Sequence, residues 1–437
     1  MSARSKRAFR IICGLLCLWV TLSLCGCADT EQMTELLKTI VYEAEEAAQK
    51  TAEEMRSAEA QTEEALTEEA SEENAQTKEP EEEAQEAGIP SVLYEGCCFT
   101  YQSLREAEQL WYQEIADCLG SMEGDIRLDS AGIKAGLDET DIDRIFQCVL
   151  MDHPELFYVE GYTYTKYTRG EELVAIRFSG TYGMGQDQVL LRQAEIDGAV
   201  QALLEGAAAL SDDYDKVKYV YDTIIRNTEY DLTAPDNQNI YSVFVNGKSV
   251  CQGYAKAVQY LLERMGVECT LVQGSVDTGE GHAWNLVKVN GSFYYVDATW
   301  GDASYQADEE EAGAGYVPEI NYDYLCVTTQ QLLRTHILAN SVPMPACVDE
   351  KDNYYVREGA LFAGYDREQM KVLFQRFVDE GRPDVTVKCA DEECFRQLMA
   401  ALVDGQEIFD YLGDGSSTIA YTQNEKQLSM TFWVTNE

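Results

Sequence analysis

Apolar positions along this chain change period several times, and each change marks an element. Val250, Tyr254, Ala257, Val258, Leu261, Leu262 and Met265 fall on one face of a helix that Gly266 is placed to end. Ala283 to Val289 and Ser292 to Val296 read as two strands, with Asn290-Gly291 between them as a two-residue hairpin turn. Upstream, the pattern predicts a strand at Cys98 to Tyr101 and a helix capped by Ser103 that runs to about Leu119. A second helix from about Glu139 to Met151 ends at His153-Pro154, because the residue before proline resists helix. Tyr158 to Tyr167 and Leu173 to Tyr182 read as a hairpin pair, then Gln188 to Leu210 and Asp213 to about Tyr230 as helices.

Downstream, Tyr322 to Val327 reads as a strand and Thr329 to His336 as a helix. His336 would then end that helix, where the dipole favours a cation. The last region alternates strand (Tyr354 to Val356), helix (Arg367 to Glu380), strand (Asp384 to Lys388) and helix (Glu392 to Leu402). It closes with strands at Ser417 to Thr422 and Gln427 to Val434.

The first ninety residues follow no such pattern. Arg4, Lys6, Arg7 and Arg10 precede an apolar run from Ile11 to about Leu24, the build of a secretory leader and too short for a confident membrane span. The run ends in Leu24-Cys25-Gly26-Cys27, which resembles a bacterial lipobox with Cys27 as the lipidated residue; the alternative is an ordinary signal peptide cut nearby. Residues 28–90 are rich in Glu, Ala, Gln and Thr, with a short helical stripe and then a charge run that cannot bury a core. The expected organisation is a leader (1–27), an acidic stalk (28–90), an N-terminal α/β domain (91–210), a central α+β domain (211–346) and a C-terminal α/β domain (347–437). This places the protein outside the cell, held on the membrane's outer face by a lipid anchor.

Composition narrows the partners. The 437 residues carry a formal net charge of -45, which argues against nucleic acid because a phosphate backbone needs a basic face. Fourteen cysteines show no CxxC pair, and with three histidines a zinc site is not expected. No DxDxDG calcium loop is present either, and no cofactor is expected. Most of the cysteines read as small buried apolar residues.

The chemistry concentrates between Gly247 and Asp302. Cys251 sits at the start of its helix, where the dipole and free amide groups stabilise a thiolate, and the adjacent N–H can face an oxyanion. Gly253 leaves room beside the sulfur. If Asn290-Gly291 is the turn, Val289 faces Ser292, Trp284 faces Asp297 and His282 faces Thr299. His282 and Asp297 then share one face as diagonal neighbours with Cβ atoms roughly 7 Å apart, within reach of a carboxylate–imidazole bond. A slip of one residue would separate them. The pattern does not by itself bring the helix start to the hairpin.

Three stretches, Val250-Cys251-Gln252-Gly253-Tyr254-Ala255, Gly281-His282-Ala283-Trp284-Asn285 and Tyr295-Val296-Asp297-Ala298-Thr299-Trp300, closely resemble the transglutaminase-like superfamily. The resemblance covers about Ser211 to Ala346 and implies a papain-like α+β core. It also implies Cys251 as nucleophile, His282 as general base and Asp297 as the acid that orients it. The family takes its second oxyanion donor from a side chain upstream of the cysteine, which makes Tyr241 and Gln238 candidates. Gln252, Tyr254, Trp284 and Trp300 are the further oxyanion or pocket candidates. The implied reaction is attack on an amide of a protein or peptide, giving a thioester that water resolves. The alternatives are a crosslinking enzyme with an amine acceptor, or a surface-binding module without catalysis.

Overall fold

The structure is a computed structural model that describes residues 98–303, 318–339, 342–412 and 418–434. The leader, Cys27, the stalk and the acidic loop from Asp308 to Gly315 lie outside the described residues. Among the described residues, no helix is long and apolar enough to cross a membrane.

The first sheet has the order β1-β3-β2, built from Ile126–Arg127 (β1), Val159–Arg169 (β2) and Glu172–Tyr182 (β3). The expected hairpin is β2–β3, and the expected second helix is Glu139–Asp152, closed by His153. The segment from Cys98 is not a strand but a short helix, Phe99–Ser103. The reason is remote in sequence. The buried Asp152 carboxylate accepts the N–H groups of Thr100 and Tyr101 at 3.1 and 3.0 Å, satisfying donors at the helix start. Ser103 is not a cap either; its hydroxyl donates back to the Phe99 carbonyl. The next helix, Glu106–Ser121, starts where Glu108 accepts the Arg105 N–H at 2.8 Å.

The helix from Asp213 stops at Asn227, because Glu229–Tyr230 (β4) instead pairs in parallel with Lys248–Ser249 (β5). Between them, Ile240–Phe244 forms a short helix capped by Asn239.

The central sheet runs β8-β7-β6-β9, from Cys269–Val276 (β6), Gly281–Val289 (β7), Ser292–Val296 (β8) and His336–Leu338 (β9). Val289 faces Ser292, and both Asn290 and Gly291 take positive φ, 49° and 87°, so the hairpin has the expected register. The helix Cys251–Arg264 packs on this sheet and is buried from Gly253 to Glu263.

Two expectations beside this sheet are corrected. The helix from Thr329 ends at Leu332 after one turn, held by a Thr328–Gln331 capping box, and His336 opens β9 rather than closing a helix. Tyr322 to Val327 is not a strand: Tyr322–Tyr324 is a 3-10 turn started by the Asn321 side chain, and Val327 makes a single bridge to Tyr295.

The last sheet has the order β10-β11-β13-β12, from Leu361–Phe362 (β10), Asp384–Cys389 (β11), Ile419–Asn424 (β12) and Ser429–Val434 (β13). Tyr354–Arg357 is a helical turn rather than a strand, because the Asn353 side chain caps the Tyr355 N–H at 3.0 Å. One apolar cluster runs from Leu104 to Phe432. A buried ion pair joins β11 to the turn beside β8: Lys388 Nζ lies 2.8 Å from Asp323 Oδ1, while Ser429 Oγ donates to Asp323 Oδ2 at 2.6 Å. The fold is thus α+β, with helices packed among three larger sheets and the two-stranded β4–β5 pair.

Candidate active site

Cys251 is the first residue of its helix and is partly exposed, whereas the helix body behind it is buried. No side chain caps this helix start, so the first-turn N–H groups beside the sulfur have no side-chain acceptor. The entry is set by backbone contacts. Val250 N–H donates to the Asn237 carbonyl at 3.1 Å, and Ser249 Oγ donates to the same carbonyl at 2.8 Å.

Gly253 matters here for a reason other than room beside the sulfur. A Cβ at this position would overlap Ser249 Oγ and approach the carbonyls of Asn237 and Asn239 to 3.1 and 3.2 Å. Gly253→Ala should therefore destabilise the fold by about 1–3 kcal/mol through overpacking. Chemical denaturation would measure it, and a change below about 0.5 kcal/mol would show that the loop yields freely.

His282 is the second residue of β7 and is buried. Its Nε2 lies 2.7 Å from Asp297 Oδ2. Asp297 is completely buried and ends the hairpin as the N-cap of the turn Ala298–Gly301. Its Oδ1 accepts the N–H groups of Thr299 and Trp300 at 3.0 and 3.1 Å. Its own N–H donates to the Tyr324 carbonyl at 3.0 Å. The carboxylate is therefore aimed by backbone on one oxygen and offered to imidazole on the other.

The electrostatics follow from this placement. Burial disfavours the Asp297 anion, but the His282 charge and hydrogen bonds from His282 and His336 outweigh it and hold the carboxyl well below the usual carboxylate range. Burial likewise pulls His282 down, yet the Asp297 charge and hydrogen bond, together with a hydrogen bond donated by the ring to the Cys251 sulfur, push it up to about 10. With Nε2 committed to Asp297, Nδ1 is the ring nitrogen left for the sulfur. The helix start and the hairpin thus meet at the Cys251–His282 contact.

His336 is the residue that sequence reasoning misplaced. Its Nε2 lies 3.0 Å from the same Asp297 Oδ2, and its Nδ1 lies 2.9 Å from Thr335 Oγ1. The available signal was weak: a histidine flanked by Thr335 and Ile337, after a Thr328-x-x-Gln331 helix start. Among the described residues, His282, Asp297 and His336 are also the group that could hold a metal, with ligand atoms within 4.8 Å of one another. As they stand, the Asp297 oxygen is shared by hydrogen bonds from both rings, and the cluster is satisfied by that bonding.

The remaining candidates separate. Trp300 is partly exposed, with its ring 6.0 Å from that of His282 and 4.8 Å from that of His336, so it walls the site. Trp284 is fully buried behind His282, with ring centroids 5.8 Å apart. Tyr254 is a core residue: its hydroxyl lies 2.8 Å from the Thr228 carbonyl and 3.0 Å from Asp302 Oδ2. Tyr241 is engaged elsewhere, donating to Glu195 Oε2 at 2.7 Å beneath the Arg192 guanidinium. Gln238 is exposed in the turn between Asn237 and Asn239, whose carbonyls flank Gly253. Gln252 is the half-buried second residue of the cysteine helix. Of the nine described cysteines, Cys98 and Cys251 are partly exposed and the others are buried.

Residues 201–298 match the family model described as the transglutaminase-like superfamily, a span that includes Cys251, His282 and Asp297 but not His336. The kyphoscoliosis peptidase of Homo sapiens is 29% identical over 122 residues, which cover 24% of this chain and 18% of that protein. Its counterpart in Mus musculus is 29% identical over 105 residues, covering 20% and 16%. The chain thus spans about a sixth of the length of these curated relatives. A solved structure of a TGase is similar over 37% of this chain and 48% of that one, with 14% identity and a TM-score of 0.23.

Proposed function

We propose that this protein is an exported thiol enzyme that attacks an amide of a protein or peptide through Cys251 and resolves the resulting thioester with water. The observation that carries the reading is the 2.7 Å bond from His282 Nε2 to Asp297, on a ring whose other nitrogen is left for the Cys251 sulfur at an uncapped helix start.

The steps follow from the geometry. The Cys251 thiol passes its proton to His282 Nδ1, its sulfur forms a bond to the amide carbon, and the carbonyl electron pair moves onto oxygen, where first-turn N–H groups can receive it. His282 gives its Nδ1 proton to the leaving nitrogen, the C–N bond breaks, and a thioester and a free amine result. A water then loses a proton to His282 and attacks the thioester carbon. The C–S bond breaks, releasing a carboxylic acid, and the sulfur takes back the proton from His282 to restore the thiol. Asp297 holds the ring in one tautomer and stabilises the imidazolium throughout. Of the upstream side chains, Gln238 suits the second oxyanion donor better than Tyr241, whose hydroxyl is bound by Glu195. The leader and Cys27 support a lipid anchor on the outer membrane face, where extracellular proteins would be the substrates.

The acceptor is tested by incubating the protein with casein and a biotinylated primary amine, then mapping the products by mass spectrometry. Water as acceptor predicts cleaved or deamidated chains free of biotin. Biotin on glutamine without cleavage would contradict hydrolysis and identify amine transfer.

A further inference from the structure

Asp297 Oδ2 serves two imidazoles, and only one of them belongs to the proposed nucleophile–base pair. The second, His336, is 2% exposed, so its bonds are made without competition from water. An ionised carboxylate only accepts, so both Nε2 atoms carry the hydrogen they share with it. The other ring nitrogen, Nδ1, pairs with the Thr335 hydroxyl 2.9 Å away.

Sheet register explains why this ring reaches the site. His282 on β7 faces Gly274 on β6, and Gly274 faces Leu338 on β9. His336 lies two residues from Leu338, so it shares that face, two strands from His282 across β6. Gly274 leaves the space between them open. A Cβ there would overlap the Ile337 carbonyl and come within 2.7 Å of Trp284 Cη2. Trp284 fills the gap instead, its ring 4.9 Å from that of His336.

The support continues into the C-terminal region. Gln427, 1% exposed and between β12 and β13, donates through Nε2 to Thr335 Oγ1 at 3.4 Å and to Tyr324 Oη at 3.2 Å. The Tyr324 carbonyl in turn receives the Asp297 N–H. A continuous polar chain therefore links Gln427 through Thr335, His336 and Asp297 to His282.

We propose that His336 is a positioning residue: it fixes the Asp297 carboxylate for His282, and the C-terminal region contributes to the site by holding His336 through Thr335. The titratable groups around Asp297 are His282, His336 and the phenols of Tyr221 and Tyr324. Only the two imidazoles bond its carboxylate. Loss of His336 leaves Oδ2 with His282 as its one donor, so the oxygen facing His282 is held from one side only, while Oδ1 keeps the Thr299 and Trp300 N–H groups. Removing a partner that orients a metal-ligating residue costs about 10–100-fold, and an effect of that order is expected here by analogy. This rests on the nucleophile–base reading for its consequence, but not for its geometry.

The test uses the chain's low histidine content. Imidazole proton–nitrogen NMR of the full chain should show His282 and His336 as slowly exchanging Nε2–H groups. In His336→Phe, the His282 Nε2–H should exchange about 10-fold faster or more, and Cys251 alkylation by iodoacetamide should slow about 10-fold. His336→Gln, which keeps a donor, should recover most of both. Thr335→Val should move both in the same direction by less, and it guards against misfolding of the ring replacement. An unchanged His282 signal in His336→Phe and Thr335→Val would reduce His336 to core packing. Should wild-type Cys251 prove no more reactive than free cysteine, the nucleophile reading would fail, while the His282 signal would still decide the role of His336.

Discussion

Cys251→Ala is expected to abolish amide turnover while leaving the fold in place. The sulfur is the atom that forms the bond, and no other described thiol lies within the His282–Asp297 hydrogen-bonding arrangement. Removing a nucleophile of this kind costs on the order of 10⁶-fold in turnover, a loss to background level. The thiol is partly exposed, so its removal leaves little cavity. Circular dichroism and thermal unfolding should match wild type. Residual turnover above about one per cent would place the bond-forming atom elsewhere.

Asp297→Asn is expected to damage both turnover and stability. The substitution keeps the shape but removes the charge that stabilises the imidazolium and selects the ring tautomer. By analogy with other triads, turnover should fall about 10⁴-fold. Breaking a buried charged pair also costs about 3–5 kcal/mol, because a partner is left buried without its counter-charge. The pH dependence has a definite sign. Asp297 is depressed, so its contribution is present above its ordinary 3.8 and is lost as pH falls through the folded value. His282 is raised, so its contribution is complete below 6.5 and is lost as pH rises through about 10. The stability gap between wild type and Asp297→Asn should be widest between these limits and narrow towards either extreme. A gap that is flat with pH would mean that the pair is not charged.

How much of this was legible depends on the range over which each feature is determined. The hairpin and the helix of Cys251 are set within a few residues, by Asn290-Gly291 and by apolar periodicity, and their registers follow from the sequence. The placement of His282 beside Asp297 is a consequence of that local register. What was misread depends on remote partners. Cys98 to Tyr101 has strand-like composition, but Asp152, some fifty positions away, satisfies its N–H groups and makes it helical. His336 follows a helix start in sequence, yet β9 pairs with β6 about sixty positions upstream, and only that pairing brings the ring to Asp297. Tyr241 lies upstream of the cysteine as expected, but Glu195 on another helix takes its hydroxyl. The pocket candidates divide in the same way: whether an aromatic residue lines a site or fills a core depends on which face of which layer it meets, and periodicity does not carry that.

The central claim, that Cys251 is a thiol activated by His282, is tested most directly by its alkylation rate. Wild-type protein and His282→Ala would be treated with iodoacetamide near neutral pH, and each cysteine followed by peptide mass mapping. The account predicts that Cys251 reacts at least about 10-fold faster than free cysteine under the same conditions, and that His282→Ala removes the advantage. A Cys251 rate equal to that of free cysteine in the wild type, or one unchanged by His282→Ala, would contradict it.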